Sequence, residues 1–267
     1  MPPPFADEGI VLRRVDYGDT DRILTVFTRD HGKVGVLVRG ARRPHSRLGP
    51  AVDLFSRCTI QLAPGRGLHI LTQGERRSPP WPGGDLLRTT CAAVVAGAVD
   101  ALLEDRHPDP ELYAQVAATL DRLGGSTHDA RAELAWFARA TADRLGYRPE
   151  IDRCVACGAA LVDRDAVFSP ARGGALQGRC AAQEPAALPC RATTLRVLRC
   201  MARDDRPTFD RLRWEPRLRD ELEEILLSHL AHHLDRPLRA MELLRRLRPG
   251  AGWPALAGGE TPPPPPR

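Results

Sequence analysis

The chain has 267 residues and a formal net charge of +5, and 42% of its residues are hydrophobic. This length is sufficient for two or three small domains, each with a core of its own. The sequence has neither an apolar run of the ~18 residues that span a bilayer nor a basic and then apolar start, so we expect a cytoplasmic protein with no membrane association. Seven cysteines, an odd number, fit a reducing compartment better than a disulfide framework.

The positive charge is concentrated in residues 31–74. This segment contains seven basic residues and a single acid, Asp53, so its net charge of +6 exceeds that of the whole chain. A surplus this local predicts a surface that binds phosphate groups. Binding of nucleic acid is therefore the first functional hypothesis.

Short β-type runs recur between residues 9 and 75 and are separated by turns rich in glycine and aspartate. Valine alternates with other residues at Val34, Val36 and Val38, which is typical of a twisted strand. Five such strands in fewer than ~80 residues favour a small closed barrel of the OB type, because closure removes exposed strand edges. Prolines and glycines in residues 78–84 end the pattern, so we predict a barrel domain over residues 1–78.

Helical periodicity dominates the chain after this boundary. We predict a helical domain over residues 85–150, a cysteine segment without periodicity over 151–192, and C-terminal helices over 193–247. The proline-rich tail, residues 248–267, is predicted to be disordered. The predicted fold class is α+β and multidomain, with an N-terminal OB-fold β-barrel followed by a helical domain into which the cysteine segment is inserted.

The loop expected after the third strand carries the main candidates for phosphate binding: Arg39, Arg42, Arg43 and Arg47. Guanidinium groups bind phosphate through two hydrogen bonds, and this loop has no acid to neutralise them. Lys33 and Arg66 are predicted to flank the site, and Arg14 on the first strand is a weaker candidate. Aromatic side chains that could stack on bases are few, with Tyr17 among them, so binding should depend mainly on the phosphate backbone.

The cysteine segment contains a Cys154-x-x-Cys157 motif, whose tight turn can direct two thiolates at one Zn²⁺. A second such motif would be expected at residues 177–180, but Gln177 stands at its first position and only Cys180 remains. Three alternatives are open: Cys190 supplies the fourth thiolate, a water molecule fills the position, or the metal has been lost. This zinc-ribbon-like segment therefore has four candidate ligands for a structural Zn²⁺: Cys154, Cys157, Cys180 and Cys190. Binding of zinc is in doubt because Gln177 replaces an expected cysteine.

Asp16, Asp19 and Asp21 raise the alternative of a metal-dependent hydrolase that uses Asp19 and Asp21. Turn formation between two strands explains these aspartates more simply, and no catalytic motif occurs elsewhere, so we expect no enzyme activity. A second alternative is an RNA-binding OB-fold module, which would share the same electrostatics.

Two stretches of the sequence resemble one known family. EGIVLRRVDYGDTDRILTVFTRDHGKVGVLVRGARRPHSRLG is similar to the amino-terminal OB-fold of the RecO recombination mediators, and LGYRPEIDRCVACG resembles the helix end that leads into their zinc knuckle. The resemblance extends over about residues 8–247. The chain departs from it at Gln177, where the family pattern has its third cysteine.

The resemblance implies a DNA repair and recombination mediator rather than an enzyme. RecO-like proteins bind single- and double-stranded DNA and anneal complementary strands. With RecR they help to load RecA onto DNA coated by the single-stranded-DNA-binding protein. By this resemblance we expect partners in DNA, in RecR and in the acidic tail of the single-stranded-DNA-binding protein, which would dock on the helical domain. RecA would be an indirect partner, and the location would be the cytoplasm, at the nucleoid.

Overall fold

The N-terminal part of the chain is a closed barrel in the computed structural model, which describes residues 3–234 and 236–248. Its strands are β1 (Phe5–Tyr17), β2 (Asp21–Thr28), β3 (Gly32–Val38), β4 (Arg57–Ala63) and β5 (His69–Arg76), with the one-turn helix α1 (Leu48–Ala51) between β3 and β4. The strands follow the order β1-β2-β3-β5-β4, and β4 closes the barrel against β1. This confirms the predicted OB-fold.

Alternation along the strands fills the barrel. In β3, Val34, Val36 and Val38 are buried, whereas the residues between them are half-buried. The register pairs Leu24 of β2 with Val36, so that both side chains point inward. Burial of these aliphatic groups stabilises the barrel by roughly 25 cal/mol for each Å² removed from water.

Three helices follow the barrel: α2 (Leu86–Leu102), α3 (Pro110–Gly124) and α4 (Ala130–Arg144). An aspartate precedes each helix, and its carboxylate accepts hydrogen bonds from backbone N–H groups of the first turn. These are Asp85, Asp109 and Asp129. Such caps satisfy donors that have no partner within the helix, which is why the predicted helix starts lie close to the observed ones.

The cysteine segment contains a small sheet that the sequence did not predict. Its strands are β6 (Ala166–Ser169), β7 (Gly174–Leu176) and β8 (Leu188–Cys190), in the order β7-β6-β8, with the one-turn helix α5 (Arg179–Ala182) before β8. The remaining helices are α6 (Ala192–Ala202), α7 (Arg206–Asp210), α8 (Pro216–His232) and α9 (Arg239–Arg246). Strands of three or four residues are too short to show an alternating pattern.

The barrel and the helices share one hydrophobic cluster. Phe27 of the barrel packs edge-on against Tyr113 of α3, with 5.7 Å between ring centroids. Gly32 has a φ of +71°, and a Cβ at this position would lie 2.5 Å from the backbone of His107. Only glycine therefore permits this close approach. The segment 78–84 lies between β5 and α2, and the predicted domain boundaries themselves stay predictions.

Arg248, the first residue of the predicted disordered tail, donates hydrogen bonds to the carboxylate of Glu223 on α8. The rest of that tail, residues 249–267, lies outside the described residues. Within the described part of the chain, no helix combines the length and apolar character needed to cross a bilayer.

Candidate nucleic-acid interface and cysteine cluster

A groove of about 990 Å³ lies at one end of the barrel, and the charged side chains that line it are mainly basic. We call it the arginine groove. Five arginines line it: Arg14, Arg22, Arg42, Arg43 and Arg76. The acids in its lining are Glu75 and Asp53, and the Asp53 carboxylate forms an ion pair with Arg14, whose side chain stays 34% exposed. Positive charge in a concave surface attracts a polyanion more strongly than the same charge on a convex one.

The register of the first hairpin explains why arginines occupy this place. Arg14 pairs with Leu24, and Arg22 lies between Asp16 and Val38, so these arginines are on the same sheet face as the barrel core. Arg22 and Val38 are the last pair between β2 and β3, so this face reaches the end of the barrel there. Charged side chains therefore replace aliphatic ones where the inward face meets solvent.

The arginine loop, residues 39–47, is fixed to this hairpin by polar contacts. The Asp21 carboxylate accepts hydrogen bonds from the Gly40 N–H, at 2.8 Å, and from the Thr20 hydroxyl, at 3.2 Å. The Gly40 N–H holds the pKa of Asp21 below its usual range. The Arg42 N–H donates to the Thr20 carbonyl at 2.9 Å. The loop is thus held at the edge of the groove.

The turn aspartates hold the loop and its arginines in place. Asp16 lies 3.1 Å from Arg22 Nε and 3.5 Å from Arg42 Nε. Asp16, Asp19 and Asp21 are not among the groups of described residues whose donor atoms lie close enough to share a metal ion. This geometry favours turn formation over the alternative of metal-dependent hydrolysis.

Three arginines of the loop are exposed and have no competing anion. Within the described residues, no carboxylate oxygen lies within 4.0 Å of the guanidinium nitrogens of Arg39, Arg43 or Arg47. Arg43 lines the groove, whereas Arg39 and Arg47 are exposed on the same loop outside its lining. Arg66 is exposed in the turn between β4 and β5, also outside the groove.

Lys33 occupies a different environment from the one predicted. Its ammonium donates to the Asp100 carbonyl at 2.7 Å and lies 3.5 Å from a carboxylate oxygen of both Asp100 and Asp105. Its side chain is only 13% exposed. This ammonium is paired with two carboxylates and is also largely shielded from solvent where the barrel meets α2, so the structure opposes the prediction that Lys33 flanks the phosphate site.

Arg22 and Arg76 line the groove but were not predicted from the sequence. Arg22 precedes the basic segment and Arg76 follows it, so a count of charge over residues 31–74 excludes both. Pairing the first two strands across the turn at Gly18-Asp19 would have placed Arg22 opposite Asp16, near Arg14. Arg76 reaches the groove because the barrel closes. No sequence pattern near Arg76 indicates this closure.

The outer face of the first hairpin differs from the groove, because it carries two exposed apolar side chains. Tyr17 and Val15 are 56% and 49% exposed, and Val15 pairs with Ile23 on the neighbouring strand. Phe27 and Phe55 are buried, so they cannot contact a base. Tyr17 is thus the exposed aromatic side chain of this hairpin, and it lies on the face opposite the groove.

The second candidate site is the cysteine cluster, which consists of Cys154, Cys157 and Cys180. Their sulfur atoms all lie within 4.8 Å of one another, so the three cysteines could hold a metal ion. Cys154 is buried, and burial alone would raise its pKa. Hydrogen bonds to its sulfur from the backbone N–H groups of Ala156, Cys157 and Gln177 outweigh burial and lower the pKa of Cys154 to about 7.

Cys190 does not belong to this cluster, which corrects the predicted set of four ligands to three. It lies in β8, paired with Ala166, and is 1% exposed. Burial raises the pKa of the Cys190 thiol to about 12, so it stays a neutral thiol that packs in the core. Sequence spacing alone could not show that β8 carries this side chain away from the other three.

Comparison with known proteins agrees with the barrel and the helices. The family model described as Recombination protein O N terminal matches residues 1–79, and the one described as Recombination protein O C terminal matches residues 83–242. The DNA repair protein RecO of Roseiflexus sp. (strain RS-1) is 35% identical over 250 residues, which cover 91% of this chain and 86% of that protein.

Two further relatives carry the same name. The DNA repair protein RecO of Symbiobacterium thermophilum is 32% identical over 244 residues, covering 90% of this chain and 96% of that protein. The protein of that name from Bacillus pumilus (strain SAFR-032) is 30% identical over 254 residues, covering 95% and 97% respectively. With both family models and near full-length relatives in agreement, the chain belongs to the RecO family of DNA repair proteins.

Proposed function

We propose that this protein binds single- and double-stranded DNA in the arginine groove and anneals complementary strands during recombinational repair. The observation that carries the proposal is the convergence of five arginines at one end of the barrel, next to a loop with three unpaired guanidinium groups. Each guanidinium that contacts a phosphate releases condensed counterions, and this release drives binding.

The lining of the groove supports binding that is nearly independent of base sequence. The described residues that line it include no aromatic side chain, asparagine or glutamine. Contacts would therefore be made to phosphates, which carry no sequence information. Such a surface would accept both single strands and duplexes.

Annealing follows from the same electrostatics. Two complementary strands repel each other through their phosphates until base pairs form. A basic surface that neutralises part of both backbones lowers this repulsion, and base pairing then supplies the specificity. No bond is made or broken in this step, so it requires no catalytic residue.

We further propose that the protein acts with RecR to assist loading of RecA onto DNA coated by the single-stranded-DNA-binding protein. The acidic tail of that protein would dock on the helical domain. This follows from family membership and would be tested by pull-down with RecR and with the tail peptide at low salt. A tail peptide of scrambled sequence is the control, and equal retention of both peptides would contradict specific docking.

Annealing of two labelled complementary strands, followed by fluorescence energy transfer, tests the function. The Arg14→Ala/Arg42→Ala/Arg43→Ala variant should anneal at least ~10-fold more slowly, because three phosphate contacts are lost. The matched control is Arg196→Ala/Arg203→Ala/Arg217→Ala, which removes the same charge from exposed positions on the C-terminal helices. Equal slowing in both variants would contradict a specific groove. An RNA pair assayed in parallel would reveal an RNA-binding module.

A further inference from the structure

We infer that Cys154, Cys157 and Cys180 bind one Zn²⁺ through three thiolates and leave its fourth coordination position open to an exchangeable ligand, such as water or a small thiolate. Four-cysteine zinc sites are closed, because protein ligands fill every position of the tetrahedron. The side chains in this chain produce a different site.

The three cysteines fit zinc in their donor atoms and positions. Thiolates bound to one Zn²⁺ at ~2.3 Å lie ~3.8 Å apart, and the three sulfur atoms here lie within 4.8 Å of one another. Small shifts of the side chains would therefore be enough for coordination. Cys157 is exposed and Cys180 half-buried, so the metal would lie at the protein surface with one side facing solvent.

The backbone around the first two cysteines has the shape of a metal-binding turn. The Gly158 N–H donates to the Cys154 carbonyl at 2.8 Å, and the Cys154 N–H donates to the Ala159 carbonyl at 2.8 Å. Gly158 has a φ of +72°, which other residues rarely adopt.

Gln177 does not complete the site, because its side-chain amide is fully occupied elsewhere. The amide oxygen accepts from the Val162 N–H at 3.1 Å, and the amide nitrogen donates to the carbonyls of Val162 and Arg164, both at 2.9 Å. Rotation of this amide toward the cluster would break three hydrogen bonds and remove the link to residues 162–164. An amide oxygen is also a weak zinc ligand compared with thiolate, imidazole or carboxylate.

Among the residues that the structure describes, no other cysteine, histidine or carboxylate is positioned to close the shell. Cys190 is buried in β8, and among the described residues no further histidine, cysteine, aspartate or glutamate belongs to the group. The fourth ligand must then come from outside the cluster. Since the open side faces solvent, that ligand exchanges with the solution.

Cobalt substitution tests the open position directly. Co²⁺ bound by the wild-type protein should show d–d bands and a sulfur-to-metal charge-transfer band typical of three thiolates. Addition of β-mercaptoethanol should then shift the d–d bands and raise the charge-transfer intensity by about one third, as a fourth sulfur binds. A wild-type spectrum that already has four-sulfur intensity and does not respond to thiol would overturn the inference.

The Gln177→Cys variant provides the matched closed site. Its cobalt spectrum should not respond to added thiol, and it should retain zinc at least ~10-fold more tightly against a chromophoric chelator, since a fourth thiolate fills the shell. The Cys190→Ala variant should keep the wild-type metal spectrum. Loss of the metal in Cys190→Ala, with the fold intact by circular dichroism, would show that Cys190 is a ligand. Wild-type protein that binds neither Zn²⁺ nor Co²⁺ with its thiols reduced would also overturn the inference.

Discussion

At the scale of single residues, Asp21 determines where the arginine loop lies, since its carboxylate accepts the Gly40 N–H. Asp21→Ala should increase hydrogen exchange at the amides of residues 40–43 and weaken DNA binding. The pKa of Asp21 is lowered in the fold, so this contact is intact above about pH 4 and is lost as pH falls through the folded pKa. Hydrogen exchange measured by mass spectrometry checks the loosening of the loop and its pH dependence, and fluorescence anisotropy of labelled DNA checks the binding.

Asp19→Ala is the control for this prediction, because Asp19 is exposed in the same turn. It should leave exchange at residues 40–43 unchanged. Similar loosening in both variants would mean that the turn, and not the Asp21 contact, holds the loop. DNA cleavage with Mg²⁺ or Mn²⁺ that disappears in both variants would instead support the hydrolase alternative.

Tyr17 should distinguish single strands from duplexes. Its ring is exposed on the outer face of the first hairpin, where an unstacked base could lie on it, whereas paired bases in a duplex are inaccessible. Tyr17→Ala should weaken single-stranded DNA binding by about fivefold or more, as expected from ~1–3 kcal/mol per stacked base. Tyr17→Phe should bind like wild type. Equal losses for single strands and duplexes, measured by fluorescence anisotropy, would exclude a stacking role.

At the scale of elements, α4 and α8 are joined by buried charges. Arg131 on α4 is 3% exposed and donates to Glu223 on α8, which is fully buried, and its Nη1 lies 2.6 Å from Asp220. Water does not solvate buried charges, so removal of one partner leaves the opposite charge buried without compensation. The pairing fixes how the two helices pack.

Arg131→Met should therefore lower the free energy of unfolding by about 3 kcal/mol or more, because it leaves buried carboxylates with fewer partners. Arg217→Met, at an exposed position on α8, is the control and should change it by no more than ~0.5 kcal/mol. Urea unfolding at neutral pH gives both values. A loss below ~1 kcal/mol for Arg131→Met would show that the remaining contacts of Glu223, such as that with Arg248, are sufficient.

The elements also show which parts of the fold could be predicted. Asp-Pro and aspartate caps mark α3 and α4, and valine alternation marks β3, because these signals are local. The strands β6 to β8 were missed since each is three or four residues long. The arginine loop was predicted from its charge, whereas the contribution of Arg76 depends on barrel closure, which joins distant parts of the chain.

At the scale of the whole molecule, the barrel and the helical part share a hydrophobic cluster and are also joined by Lys33, the only lysine in the chain. Charge counting placed this residue at the phosphate site, but its contacts with Asp100 and Asp105 place it in the junction. The sequence could not show this, because the pairing joins residues 67 or more positions apart.

Lys33→Met should lower the free energy of unfolding by roughly 1–3 kcal/mol, since it leaves the Asp100 carboxylate and carbonyl without this donor. DNA affinity and its salt dependence should stay at the wild-type values. Urea unfolding and anisotropy of labelled DNA measure the two effects. If the variant's DNA affinity depended less on salt while its stability was unchanged, Lys33 would be shown to contact phosphate.

Binding of the DNA backbone in the arginine groove should make the affinity strongly dependent on salt, and a salt series measures this dependence. Fluorescence anisotropy would give log K against log salt for single- and double-stranded DNA with the wild-type protein, the Arg14→Ala/Arg42→Ala/Arg43→Ala variant and the Arg196→Ala/Arg203→Ala/Arg217→Ala control. Loss of three phosphate contacts should reduce the slope by roughly two to three units for the groove variant, for every sequence alike. The control should keep the wild-type slope. An unchanged slope in the groove variant would show that DNA does not bind in the arginine groove and contacts another part of the molecule.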